Sequence, residues 1–190
     1  MKSNFIIEYI KHPQTIGAVA PSSKYLSENM IKNIDFSRCS VIAEYGAGTG
    51  VFTAEVIRHR KKGTKFLVIE QNKNFYNILC KKFGKCRDVF IIHGDVRNLA
   101  KYMSKYNIYK IDYIISGLPF ASLPSDISDR ILASTKRILA KNGGKFITFQ
   151  YTLLKKKLFE RFFDIEDISV ALRNFPPAFV FTMISKDKRC

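Results

Sequence analysis

The sequence predicts an α/β fold: a doubly wound sheet of seven strands, mostly parallel, that ends in an antiparallel strand pair. Three observations carry this. After Gly46, short β-branched runs alternate with helical stretches, the pattern of strand and crossover helix. Most of the runs are continuously apolar rather than alternating, as strands covered on both faces are. The last two runs are joined through Asn174-Phe175-Pro176-Pro177, too short a connection for a helical crossover, so they pair antiparallel.

Taken in order, strands are expected at Val41 to Tyr45, Lys65 to Ile69, Val89 to His93, Ile111 to Ile115 and Lys145 to Tyr151. Helices fall between them near Phe52 to Arg60, Lys73 to Phe83, Arg97 to Lys105 and Ser125 to Ala140. A further helix over Leu153 to Phe163 leads into strands at Ile165 to Leu172 and Phe179 to Ser185. With 190 residues the chain is long enough for one sizeable core and short for two, so a single domain over 1–190 is expected. No internal repeat or low-complexity segment interrupts it.

Composition is that of an ordered protein, with 46% hydrophobic and 25% charged residues, which excludes global disorder. Charge is the unusual feature. Lys and Arg number 32 against 16 acidic residues, a formal +16, and residues 61–110 hold 12 basic against 3 acidic side chains. Such a surface attracts polyanions, either nucleic acid or an anionic membrane, unless the lysines serve solubility alone. Cys39, Cys80, Cys86 and Cys190 are scattered, with no paired spacing and no histidine cluster, so reduced thiols and no metal site are expected. The segment MKSNFIIEYIKH is too short an apolar run for a signal peptide, and nothing approaches the length of a membrane span. A cytoplasmic protein, soluble or peripheral at a membrane, is the expectation.

The chemistry is concentrated at the strand ends. Glu44-Tyr45-Gly46-Ala47-Gly48-Thr49-Gly50 closes the first strand and opens a helix. Glycines at such a turn permit positive φ and let a nucleotide-like ligand lie against the backbone at the helix N-terminus. The spacing is G-x-G-x-G rather than the dinucleotide G-x-G-x-x-G, and no Gly-Lys-Ser/Thr follows, which disfavours both NAD and a nucleoside triphosphate. Glu70 closes the second strand, where its carboxylate could take both ribose hydroxyls, and Asp95, in His93-Gly94-Asp95-Val96, closes the third, within reach of an adenine amino group.

This set resembles the class I S-adenosylmethionine-dependent methyltransferases, whose sheet is similar in its terminal antiparallel pair. The resemblance implies a Rossmann-like fold, S-adenosylmethionine as cofactor and S-adenosylhomocysteine as product. It also implies a cofactor site formed by Glu44, Gly46, Ala47, Gly48, Gly50, Glu70, Gln71, Gly94, Asp95, Val96, Ser116 and Ser22. Residues 1–36 are then expected to form a helical cap over that site.

The acceptor side turns on Ser116-Gly117-Leu118-Pro119-Phe120. Methyltransferases acting on adenine amines carry Asn or Asp, then x-Pro-Tyr or x-Pro-Phe here; this sequence keeps the ring but has Gly117 in place of the polar grip. A site that has lost such a hydrogen bond discriminates poorly. Ribosomal adenine dimethyltransferases also carry a helical domain after the catalytic one, whereas this sequence ends at Cys190. The segments Thr15 to Ser23, the Ser116 to Phe120 corner and Asn174 to Val180 together resemble the bacterial phospholipid N-methyltransferases, which act on phosphatidylethanolamine, although Tyr45 and Ala47 stand where that family more often has Leu and Pro.

The resemblance implies a phospholipid substrate met at an anionic membrane surface. Phe120 and Leu118 are expected to wall the pocket, Pro119 to fix the turn, and the backbone at Ser116 and Gly117 to orient the amine. Tyr9, His12 and Tyr151 are candidates for proton removal or headgroup contact, while His59 and His93 read as structural. A short amphipathic helix around Phe5 to Ile10 and the run Lys155-Lys156-Lys157 could meet lipid, or equally be a packed helix and a solvated face. Two other readings stay open: an rRNA adenine N6-methyltransferase, and a non-catalytic cofactor-binding protein that docks on membranes or RNA. The oligomeric state is not legible.

Overall fold

The chain runs α1 (Pro21–Ile31), β1 (Val41–Tyr45), α2 (Val51–His59), β2 (Lys65–Glu70), α3 (Lys73–Phe83), β3 (Val89–His93) and α4 (Leu99–Lys105). It continues through β4 (Tyr113–Ser116), α5 (Ser125–Leu139), β5 (Lys145–Gln150), α6 (Lys156–Glu160), β6 (Phe163–Ala171) and β7 (Ala178–Ser185). This computed structural model describes residues 21–174 and 176–186, with the backbone alone at 21–23. Short 3-10 turns at Val96–Asn98 and Leu153–Lys155 lead into α4 and α6.

The strands form one sheet in the order β3-β2-β1-β4-β5-β7-β6. β1 through β5 are parallel, β7 runs against β5, and β6 runs against β7 and so parallel to the rest. All five residues of β1 are buried because the strand is central and covered on both faces. One face packs Leu26, Met30, Val56 and Leu79, from α1, α2 and α3, on Ile42, Phe66 and Ile115. The other packs Leu99, Met103, Ile131, Leu132, Ile138 and Leu139, from α4 and α5, on Ala43, Leu67 and Ile114. In α5 the buried positions 128, 131, 132, 135, 138 and 139 form one stripe at helical spacing.

Most elements lie within one or two residues of their expected bounds, and two of the differences have a visible cause. β4 starts at Tyr113 rather than Ile111, because Asp112 turns its carboxylate to accept the backbone N–H groups of Ser40 and Val41 at 2.7 and 2.9 Å. The helix expected over Leu153 to Phe163 is a 3-10 turn and the short α6, since Phe163 is already paired with Ser185 at the start of β6. The expected cap over 1–36 falls largely on residues 1–20, outside the described residues, as do Tyr9 and His12. Its described part, α1, packs against α2 and the β5-β7-β6 side of the sheet.

Candidate functional site

The strand order reverses between β1 and β4, and a parallel sheet opens a crevice at the C-terminal ends of its strands at that point. The loop after β1 enters α2 with positive φ at Gly46, Gly48 and Gly50. At Gly48 (φ +57°) a Cβ would meet nothing within 4 Å, so this stretch of backbone is open to a ligand. Glu70 holds the loop from the end of β2. Its Oε2 accepts the Gly48 N–H at 2.8 Å and its Oε1 accepts the Asn72 N–H at 2.7 Å. Each oxygen keeps acceptor capacity for a ribose hydroxyl. Lys82 donates to the Thr49 carbonyl at 2.9 Å and fixes the outer side of the loop.

Beside the loop lies a cleft of about 400 Å³, with Gly46, Glu70, Gln71, Gly94, Asp95 and Val96 among its lining residues. Its apolar wall is Ile69, Leu118, Leu123, Ile127 and Ile131, a surface suited to a flat aromatic base. Asp95 caps the 3-10 turn, accepting the Arg97 backbone N–H at 2.8 Å and the Arg97 Nε–H at 2.9 Å. The Arg97 side chain holds the Asp95 carboxyl below its ordinary value, so the group presents a carboxylate to the cleft. Arg97 and the Leu123, Ile127 and Ile131 wall are missed by strand-end motifs. The only sequence signal for the wall is the apolar stripe of α5 and its approach.

Glu44 is wholly buried under the loop. Its Oε2 accepts the Thr53 hydroxyl at 2.7 Å, whereas Oε1 is buried without a hydrogen-bond partner among the described residues. Burial pushes its carboxyl up to about 8, the Thr53 hydrogen bond opposes this, and the neighbouring Glu70 carboxylate adds to it. Ser22 lies in the first turn of α1. Ala47 is buried in the core face below the loop.

At the end of β4 the structure rearranges the expected acceptor corner. Ser116 is buried; its hydroxyl accepts the Leu118 N–H at 3.2 Å and its carbonyl accepts the Thr148 hydroxyl at 3.2 Å. Gly117 donates to the Tyr45 carbonyl at 2.9 Å. A Cβ on Gly117 would stand 2.8 Å from the Gly46 carbonyl oxygen and 3.6 Å from Phe52 Cε2, so this corner has no room for the polar side chain that adenine methylation uses. Pro119 turns the chain, its carbonyl accepting the Ser122 and Leu123 N–H groups.

Leu118 lines the cleft beside the glycine loop, whereas Phe120, expected to wall the acceptor pocket, does not. Its ring is wholly buried, edge-on to Phe159 at 5.5 Å and to Phe146 at 6.3 Å, because the turn at Pro119 directs it under the sheet into the α5–α6 core. A different aromatic set starts beside Gly117: Phe52, in the first turn of α2, lies edge-on to Phe149 of β5 at 5.9 Å, and Phe149 edge-on to Tyr151 at 5.5 Å, all three half-buried. His59 stacks on Phe36 and His93 packs at a tilt against Tyr76, consistent with packing roles.

No family model matches the chain. Among curated proteins it is 29% identical over 174 residues to the ornithine lipid N-methyltransferase of Singulisphaera acidiphila, covering 92% of this chain and 91% of that protein. It is 27% identical to ribosomal RNA small subunit methyltransferase A of Persephonella marina, over 87% of this chain and 66% of that one. It is 26% identical to the rRNA adenine N-6-methyltransferase of Bacillus licheniformis, of which it spans 52%. Among solved structures, the N-methyltransferase NodS of Bradyrhizobium japonicum superposes with a TM-score of 0.71 at 11% identity over 92% of both chains. A SAM dependent methyltransferase of Aquifex aeolicus gives 0.66 at 11%, over 91% of this chain and 96% of that one. At such identities these last two likenesses are of fold.

Proposed function

We propose that this chain, an S-adenosylmethionine-dependent methyltransferase with the class I fold, methylates the free amine of a membrane-lipid headgroup. The observation that carries the reading is the β4 corner. Gly117 lies too close to the Gly46 carbonyl to bear a polar side chain, and its other near neighbours are the Phe52 ring at 3.6 Å and the Tyr45 carbonyl at 3.7 Å. An aromatic amine such as that of adenine needs a polar grip to hold it and draw its lone pair out. An aliphatic amine has its own localised lone pair and needs chiefly to be deprotonated and aimed. The relative from Singulisphaera acidiphila, matched along nearly its whole length, is named for a lipid amine acceptor and supports the same choice.

The cofactor fits what the chain supplies. Open backbone at Gly48, the Glu70 carboxylate and the Asp95 carboxylate at the rim of an apolar-walled cleft suit an adenosine, and the unpartnered Glu44 Oε1 lies under the loop. Bound there, S-adenosylmethionine supplies an electrophilic methyl group on a sulfonium sulfur. The protein's part is to hold the amine neutral and in line, so that the C–N bond forms as the C–S bond breaks and the amine's proton passes to water. An aliphatic amine titrates near 10.4, so exposing its lone pair at pH 7 costs about 4–5 kcal/mol. An apolar corner of Leu118, Phe52 and Phe149 disfavours the ammonium and lowers that cost. Positioning supplies much of the rest.

Phosphatidylethanolamine and an ornithine lipid both offer a free amine, and the test separates them. Purified protein is given methyl-labelled S-adenosylmethionine with vesicles containing either lipid, beside unmodified small ribosomal subunits. Label in a lipid extract is the expected result, and the lipid that carries it names the acceptor. Label in RNA alone overturns the reading.

A further inference from the structure

Resting on the lipid reading, we propose that the rim formed by the β5–α6 connection and the β6–β7 turn is a docking surface for an anionic bilayer. Because β6 is parallel to β5, both segments leave the sheet at its C-terminal edge, the edge that carries the cofactor cleft. The register places Gln150 opposite Phe179 and Phe179 opposite Val170. The two connecting segments therefore leave the sheet about 10 Å apart, two strand spacings. Leu154 is 86% exposed, Leu172 76%, Leu153 46% and Val170 40%. These are four of the five exposed large apolar residues among the described residues; the fifth, Tyr109, precedes β4 at the opposite end of the sheet.

Charge identifies the occupant. Lys155, Lys156 and Lys157 follow the leucine pair directly and Arg173 follows Leu172; Lys156 is paired with Glu160 at 3.2 Å, while neither 151–159 nor 171–178 contains an acidic residue. The Arg173 guanidinium lies 5.3 Å over the Tyr25 ring, which ties α1 to the same rim. Exposed leucines bordered by long basic side chains suit a headgroup boundary: the leucines enter the acyl edge while the ammonium groups stay among the lipid phosphates. A folded protein partner would not require the basic border, and RNA would not require the leucines. Docked this way, the strand ends face the membrane, and a headgroup reaches the Gly117 corner without its lipid leaving the bilayer.

The full chain is sedimented with vesicles of phosphatidylglycerol and phosphatidylcholine, and with phosphatidylcholine alone. Binding to the anionic vesicles only, weakened by salt, is expected. Leu153→Ser with Leu154→Ser and Leu172→Ser should reduce that binding at least tenfold, and Lys155→Glu with Lys157→Glu should do so independently. Tyr109→Ser should leave it unchanged. All variants should keep wild-type affinity for S-adenosylmethionine by calorimetry and wild-type turnover on a short-chain acceptor dispersed as monomers. Undiminished vesicle binding by both sets of variants overturns the surface, as does an equal loss in Tyr109→Ser, or wild-type binding to RNA and to no vesicle. If the wild type docks as expected but methylates no lipid in any form, the surface stands and the acceptor assignment fails.

Discussion

The carboxylate of Glu70 accepts the backbone N–H of Gly48 at 2.8 Å, so the residue that closes β2 also holds the glycine loop that closes β1. The second oxygen is tied to the Asn72 N–H, so the carboxylate cannot turn away without losing both contacts. Hydrogen bonds to a charged group contribute about 1.5–3 kcal/mol. Glu70→Ala should therefore raise the dissociation constant for S-adenosylmethionine by about 10- to 100-fold. Glu70→Gln should weaken it less but measurably, since its NH2 must face one of two N–H donors. Titration calorimetry on both variants decides this; unchanged affinity would show that the loop holds its shape without Glu70.

Gly117 faces the opposite constraint, the approach of β4 to the Gly46 carbonyl. Restoring the polar residue that adenine methyltransferases carry, by Gly117→Asn, forces a Cβ to 2.8 Å from that oxygen. The loop or the strand end must shift. The expected outcome is at least a tenfold fall in turnover on the lipid acceptor, weaker cofactor binding, and no gain of adenine methylation in rRNA. Adenine methylation appearing in the variant would mean that the corner tolerates the side chain and that acceptor choice rests on that one residue.

Phe120 should behave as a core residue rather than a substrate contact. Truncating a buried phenylalanine costs about 3–5 kcal/mol. In a chain of this size, Phe120→Ala should lower the melting temperature by roughly 2–4 °C per kcal/mol. Below that transition, its Michaelis constant for the acceptor should match the wild type. A raised Michaelis constant with an unchanged melting temperature would return the ring to the pocket.

That contrast marks where the sequence ceases to be legible. The sheet could be read because its signals are local and redundant: apolar runs such as Phe66-Leu67-Val68-Ile69 and glycines at a strand-to-helix turn admit few alternatives. Strand-end acids could be placed for the same reason, since the end of a parallel strand fixes where Glu70 and Asp95 stand. Their partners could not. Nothing in the spacing says that Glu70 would hold Gly48 or that Asp95 would take Arg97 as its ion pair, because those contacts depend on loop paths. Phe120 was misplaced because a ring after Gly-Leu-Pro can turn to either side of the sheet, and only the Phe146 and Phe159 rings beneath it decide which. The Phe52, Phe149 and Tyr151 set joins residues about a hundred positions apart and carries no local signal at all.

Glu44 supplies a pH test that needs no substrate. Its carboxyl ordinarily titrates near 4.5, but burial under the loop pushes it to about 8 in the folded chain. Between those values the folded state keeps a proton that the unfolded state has released. The sign follows: the stabilising contribution is complete below pH 4.5, is lost progressively as pH rises toward 8, and changes no further above it. Glu44→Gln removes this titration while its carbonyl can still accept the Thr53 hydroxyl. Melting temperatures of the two proteins should be similar near pH 4.5 and diverge as pH rises, the variant being the more stable at pH 8. Carboxylates not coupled to Glu44 titrate equally in both, so the difference between the curves reports Glu44 together with its coupling to Glu70. Parallel curves from pH 4.5 to 8 would mean that the carboxylate is stabilised where it lies, with a partner for Oε1 that the described residues do not supply.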